Sequence, residues 1–259
     1  MKKYILLLPF LFVVYSAWAE IEDITGIKSV DEYIRQAEVF YKEGKYREAA
    51  ESYENILKAD RESSKLYYNL GNAYFKSGEN TKAILNYERA LLLNPSDKDT
   101  RYNLNMAQKQ IVDKIEDLPE FFFARWYKSL IAYFSADQWA YISIAVFLLF
   151  LISALFFFYS STVGLKKAGF SVASIALLMT VFTIIFTAKQ NARLEARNYA
   201  IIMTPSVTIK GAPDNSGTSL FVVHEGLKVE VREKLGDWYN IRLQDGNEGW
   251  VSKADAEII

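Results

Sequence analysis

The sequence predicts a multi-domain membrane protein: an all-α helical repeat, a two-helix transmembrane hairpin and a small all-β barrel, in that order. Three observations predict it. Between residues 30 and 109, small and aromatic side chains recur at a fixed interval. Residues 139–159 and 168–188 are apolar runs without a charged residue, each close to the roughly 20 residues a helix needs to cross a hydrocarbon core. Beyond residue 199 the hydrophobic period changes from that of a helix to the alternation of a strand.

Composition removes several function classes. A net charge of −1 over 259 residues supplies no basic patch for nucleic acid. Cysteine is absent, which removes disulfides, thiolate nucleophiles, Cys-ligated zinc and a lipid-modified cysteine anchor. One histidine, no Gly-rich phosphate loop and no H-E-x-x-H pattern leave little from which to build a catalytic site, so a non-enzymatic protein without a cofactor or metal is expected.

Lys2 and Lys3 precede the apolar run 4–15, and Ala17-Trp18-Ala19 follows. This order of charge, short apolar core and small-residue site predicts a signal peptide over 1–19, with Glu20 as the mature N-terminus. An uncleaved anchor is the rival reading, and both export the next segment.

The repeat is carried by Tyr67, Leu70, Gly71, Tyr74, Ala83, Tyr87, Ala90 and Pro95. Tyr33, Ala37, Phe40, Gly44, Ala49, Tyr53 and Ile56 form a weaker copy one period of 34 residues earlier. Tyr102-Asn103-Leu104 repeats Tyr68-Asn69-Leu70 before the pattern stops. The segment resembles the tetratricopeptide repeat family. A domain over 20–117 is expected, with two repeats and a capping helix from Lys98 to about residue 115. Gly71 and Ala83 would let paired helices approach, with Tyr74 and Tyr87 filling the space between them. Two repeats and a cap are few for a free-standing stack, so marginal stability is expected unless the segment packs against a partner or the membrane-proximal region. The resemblance implies a peptide-binding groove lined by first helices, at Lys65, Tyr68, Asn72, Phe75 and Lys76 on the second repeat. Asn72 would hold a peptide backbone group, and Lys65 or Lys76 an acidic group. The same positions equally fit a solvated cationic face with Tyr68 partly in the core.

Residues 118–138 mix Phe121, Phe122, Phe123, Trp126 and Tyr127 with Arg125 and Lys128, a composition suited to a membrane interface. Burial of this stretch against the repeat cap is the competitor. Ser135 and Gln138 form a candidate capping box before the first span. Trp139 and Tyr159 are expected at its ends as belt residues. A short cytoplasmic loop over 160–167 carries Lys166 and Lys167, and a charged linker over 189–198 follows the second span. Thr180, Thr183 and Thr187 share one face of that span and predict a helix–helix contact. Positive residues flank both ends of the pair equally, so the N-terminal export signal decides orientation and places both soluble domains in the periplasm, on the inner membrane.

In 199–259, candidate strands are 206–210, 228–234, 239–243 and 249–252. Gly236-Asp237-Trp238-Tyr239-Asn240-Ile241 and Gly246-Asn247-Glu248-Gly249-Trp250-Val251 resemble the bacterial SH3 domain. That resemblance makes Tyr239, Ile241 and Val251 core and puts Trp238 on the ligand-carrying face. Ser252 stands where proline-motif binders often have Pro, so polyproline recognition is not implied. His224, in a Glu- and Gly-containing loop without nearby partners for a metal site, is read as an exposed loop residue rather than a ligand.

Signal, repeats, hairpin and SH3 together resemble the BatE-type proteins of bacterial aerotolerance (Bat) operons. The resemblance implies an envelope complex with other membrane proteins, among them von Willebrand factor A-domain proteins. A scaffold binding partner proteins through the repeat groove and Trp238 is the leading reading. A peptidoglycan-binding anchor is the alternative, and a sensor passing load across the membrane ranks third.

Overall fold

The computed structural model describes residues 30–59, 61–115 and 121–259. The signal expected over 1–19 and the acidic stretch 116–120 lie outside the described residues.

Helical pairing follows from the small-residue positions. Helices α1 (Val30–Lys42) and α2 (Tyr46–Leu57) form the first repeat, and α3 (Ser64–Ser77) and α4 (Asn80–Leu93) the second. Ser63 caps α3 by accepting from the Leu66 amide at 3.1 Å. Gly78 ends α3 in the left-handed region at φ 86°, and the Glu79 amide closes back on the Tyr74 carbonyl. At Gly71 a Cβ would lie 2.7 Å from the Tyr87 ring, so only glycine allows α3 and α4 their approach. Ala37, Ala49, Ala73, Ala83, Ile84 and Tyr87 are all essentially inaccessible.

Helix α5 (Lys98–Gln108) is capped by Asp97, which accepts from the amides of Asp99 and Thr100. It buries Leu104 and Ala107 against the second repeat. It stops short of the expected residue 115, because the chain turns at Lys109–Gln110 and residues 111–115 run onto the C-terminal sheet instead.

Helix α6 (Phe122–Ile131) leads into two long apolar helices, α7 (Ala136–Tyr159) and α8 (Val163–Ala196), packed on each other. The Ser135–Gln138 capping box is present at the start of α7. Gly169, Ala173, Ala176, Thr180 and Thr183 form the buried stripe of α8, with Thr180 and Thr183 bonding back to their own helix at 2.8 and 2.9 Å. The connection is shorter than the expected 160–167, since α8 begins at Val163 and takes Lys166 and Lys167 into its first turns. Residues 189–196 are helical rather than a linker, since no Gly or Pro interrupts them. Trp139 is not a lipid-facing belt residue. It is 6% exposed, packed on Phe134 and Phe186, with its indole donating to the Ile131 carbonyl at 2.9 Å.

The C-terminal module is one antiparallel sheet of seven strands in the order β3-β2-β6-β5-β4-β1-β7. The strands are β1 (Tyr199–Ile202), β2 (Ser206–Lys210), β3 (Ser219–His224), β4 (Lys228–Leu235), β5 (Trp238–Arg242), β6 (Glu248–Ser252) and β7 (Ala256–Ile258). Ile202, Ile209, Val223, Val229, Ile241 and Val251 fill its interior, with Tyr239 half-buried at the margin. Three strands escape the alternation rule. β1 is buried on both faces, β3 is a nearly continuous apolar run and β7 has only three residues.

The two soluble modules are packed together. In β1, Ala200 and Ile202 enter the sheet interior, whereas Ile201 joins the buried cluster of the helical repeat, as does Ile259. The SH3 module of the same chain thus covers part of the repeat stack, where a partner or the membrane-proximal region was expected.

Candidate functional site

One groove is built on the repeats. Tyr41 of α1, Tyr68, Asn72, Phe75 and Lys76 of α3, Tyr87 of α4, and Tyr102, Asn103 and Met106 of α5 line a space of about 320 Å³. Positions on first helices recur one period apart: Tyr41 with Phe75, Tyr68 with Tyr102, and Asn72 with Met106. Four of the five residues expected to face the groove therefore line it together. Lys65 is exposed and is not among the lining residues. The contribution of α5 was legible in the Tyr102-Asn103-Leu104 echo, which marks α5 as the first helix of an incomplete third repeat.

The polar floor of the groove is committed in one direction. Asn72 Oδ1 accepts from Tyr87 Oη and from Asn103 Nδ2, each at 2.8 Å, which uses both lone pairs of that oxygen. Asn72 can thus offer a ligand its amide nitrogen, a donor suited to a peptide carbonyl, but not its oxygen. Burial, followed by the neighbouring Tyr68, raises the Tyr87 hydroxyl above the usual tyrosine range and keeps it a donor. Burial and its bond to Glu62 push Tyr67 up to about 12. Tyr74, buried and donating to Glu54, is raised as well. The walls are aromatic, Tyr102 is 65% exposed, and Lys76 is the one cation among the lining residues. Such a surface can hold an apolar or aromatic side chain of an extended segment, a backbone carbonyl and one acidic group.

The sheet presents a second surface. Trp238 and Trp250 lie on the face opposite Ile241 and Val251, because Trp238 stands across from Ser252 and Trp250 across from Asn240. Both tryptophans are half-buried. Trp250 was legible from the alternation that makes its neighbour Val251 core.

A third cluster joins the modules, and sequence reasoning did not find it. Lys228 donates to Glu88 at 2.5 Å and lies 4.8 Å from the Tyr199 ring centroid. Arg89 donates to Glu257 and to the Ile258 carbonyl, and Thr81 to Glu225. Gly226, at φ 84°, seats its turn so closely that a Cβ would lie 2.6 Å from Ile111 and 3.2 Å from Ile84. His224 is not an unpartnered loop residue. It ends β3, its backbone amide donates to Asp113, and its ring nitrogen Nδ1 lies 2.8 Å from the same carboxylate. The partner is 111 positions away, which is why local sequence did not reveal it.

The fold and these surfaces define a protein made of binding modules around two apolar helices. Residues 34–101 match the tetratricopeptide repeat family, and residues 205–257 match the bacterial SH3 domain family, so the chain carries one of each. Comparison with curated proteins gives no match. Two solved structures, "Crystal structure of MamA" and "Crystal structure of MamA protein", are each 20% identical at a TM-score of 0.30. They cover 65% of this chain and 81% and 76% of their own. A likeness of that degree carries no argument. Among the described residues no group of His, Cys, Asp or Glu is arranged to hold a metal ion.

Proposed function

We propose that this chain is a non-enzymatic membrane scaffold of the bacterial envelope, which holds a segment of a partner protein in the repeat groove while the SH3 module braces the stack. The open aromatic groove of Tyr41, Tyr68, Phe75 and Tyr102 carries this reading. Crosslinked pulldown from membranes tests it with Tyr102→Ala and Lys76→Ala, both at exposed positions. Recovery of specific partner proteins should fall about ten-fold or more when an aromatic anchor is lost. Recovery unaffected by either substitution overturns the groove as the binding site.

Both soluble modules belong to one aqueous compartment, because they share a buried interface and α7 and α8 return the chain to the side it left. With the N-terminal signal, that compartment is the periplasm and the membrane is the inner one. Alkaline phosphatase joined after Gln110 or after Ile259 should be active, and inactivity at both sites overturns the orientation. The order of modules supports placement in an aerotolerance complex with other membrane proteins, von Willebrand factor A-domain proteins among them.

A second reading, peptidoglycan binding by the SH3 face, is favoured by the placement of Trp238 and Trp250 on the same face of adjacent strands, opposite the sheet interior. The purified full chain sedimenting with sacculi, and failing to do so as Trp238→Ala, would make the anchor its primary role.

A further inference from the structure

Helix α6 has a composition and a position that neither the groove nor the SH3 face uses. At 100° per residue its side chains divide cleanly. Phe122, Phe123, Trp126, Tyr127, Leu130 and Ile131 occupy one half of the helix, and Ala124, Arg125, Lys128 and Ser129 the other. One edge of the apolar half is used inside the protein, where the Tyr127 ring meets Phe186, and at the end of the helix the Ile131 backbone carbonyl accepts from the Trp139 indole. The remainder is open, with Phe122 73%, Phe123 77% and Trp126 58% exposed.

The level at which α6 is held identifies what covers it. Tyr127 touches Phe186 and lies under the Lys189 ammonium at 4.9 Å, and Gln190 donates to the Phe134 carbonyl at 3.1 Å. On α8 this is the point where the apolar run of Phe186, Thr187 and Ala188 gives way to Lys189 and Gln190. The exposed apolar side of α6 therefore continues the exposed apolar belt of α7 and α8 at its polar margin. The polar half of α6 holds two cations and no anion, and Lys189 and Arg193 stand on the adjoining turns of α8.

We infer that α6 is an in-plane membrane segment whose aromatic half enters the lipid beside the spans, and whose Arg125, with Lys189 of α8, binds anionic lipid headgroups. This fixes the depth of the hairpin and hence the height of the groove above the bilayer. The inference rests on the reading that α7 and α8 cross a membrane.

The chain has no cysteine, so single substitutions carry spin labels without background. Full-length protein in nanodiscs of phosphatidylcholine, alone or mixed with phosphatidylglycerol, is labelled at Phe122→Cys, Phe123→Cys, Arg125→Cys, Ser129→Cys and, as a control for the spans, Leu151→Cys. The expected result is oxygen-accessible, nickel-protected labels at 122, 123 and 151, and water-accessible labels at 125 and 129. Labels at 122 and 123 open to water while 151 lies in lipid would overturn the inference and leave the spans standing. A water-exposed label at 151 would overturn both. Spin-labelled phosphatidylglycerol should associate in preference to phosphatidylcholine. Arg125→Gln and Lys189→Gln should each lower that preference about five-fold. Equal association of the two lipids with the unsubstituted protein overturns headgroup recognition.

Discussion

Truncating Ile201 to Ala should lower the unfolding free energy by about 2–5 kcal/mol and loosen the helical repeat and the sheet together. Ile201 is a residue of strand β1, yet its side chain is fully buried in the cluster that contains Ile84, Tyr87 and Leu91. Its neighbours Ala200 and Ile202 point the other way, into the sheet interior. One short strand thus carries residues of two cores, and a cavity at Ile201 removes apolar packing from the repeat. Hydrogen exchange on the full chain checks this. The amides of α4 and of β4 should both exchange faster in Ile201→Ala. Faster exchange confined to the sheet, with α4 unchanged, would show that the modules do not share a core.

The second large effect is expected at Lys228. Lys228→Met should destabilise by about 3–5 kcal/mol, because Glu88 would be left charged and unpaired where only 9% of its side chain is exposed. Removing both charges, as Glu88→Leu with Lys228→Met, should recover most of the loss. A buried pair is stabilising chiefly in the sense that breaking it is costly. A double-mutant cycle by chemical denaturation measures the coupling. A single Lys228→Met variant within about 0.5 kcal/mol of the unsubstituted chain would place this pair with ordinary surface ion pairs.

Both substitutions probe the module interface, which differs from the rest of the molecule in how little of it was legible. The second repeat's share of the groove was legible because a period of about 34 residues repeats the same helical positions, and the Tyr102-Asn103-Leu104 echo of Tyr68-Asn69-Leu70 points to Tyr102. The direction of Asn72 was not: that its oxygen is taken by Tyr87 and Asn103 depends on three helices meeting. On α4 a signal did exist. Ala83 to Glu88 are buried without a break, and its apolar residues run around the helix, a pattern of burial on all sides rather than of a surface helix. What lies against its outer side is not encoded locally.

By itself the sequence determined the kinds of module and their order: helical pairs from the period of small and aromatic residues, two apolar helices from length and absence of charge, and an SH3 sheet from alternation and its Gly-Trp placements. These are local properties, set by backbone preference and by which face of an element is apolar. Only the tertiary structure decided that the repeat and the SH3 module are one body. That interface is made by residues far apart in the chain, Glu88 with Lys228, Asp113 with His224 and Ile84 with Gly226. Each of them reads locally as a surface charge, a loop residue or a core residue of its own module. Their pairing follows from the close packing of two finished surfaces, which no periodicity along the chain records.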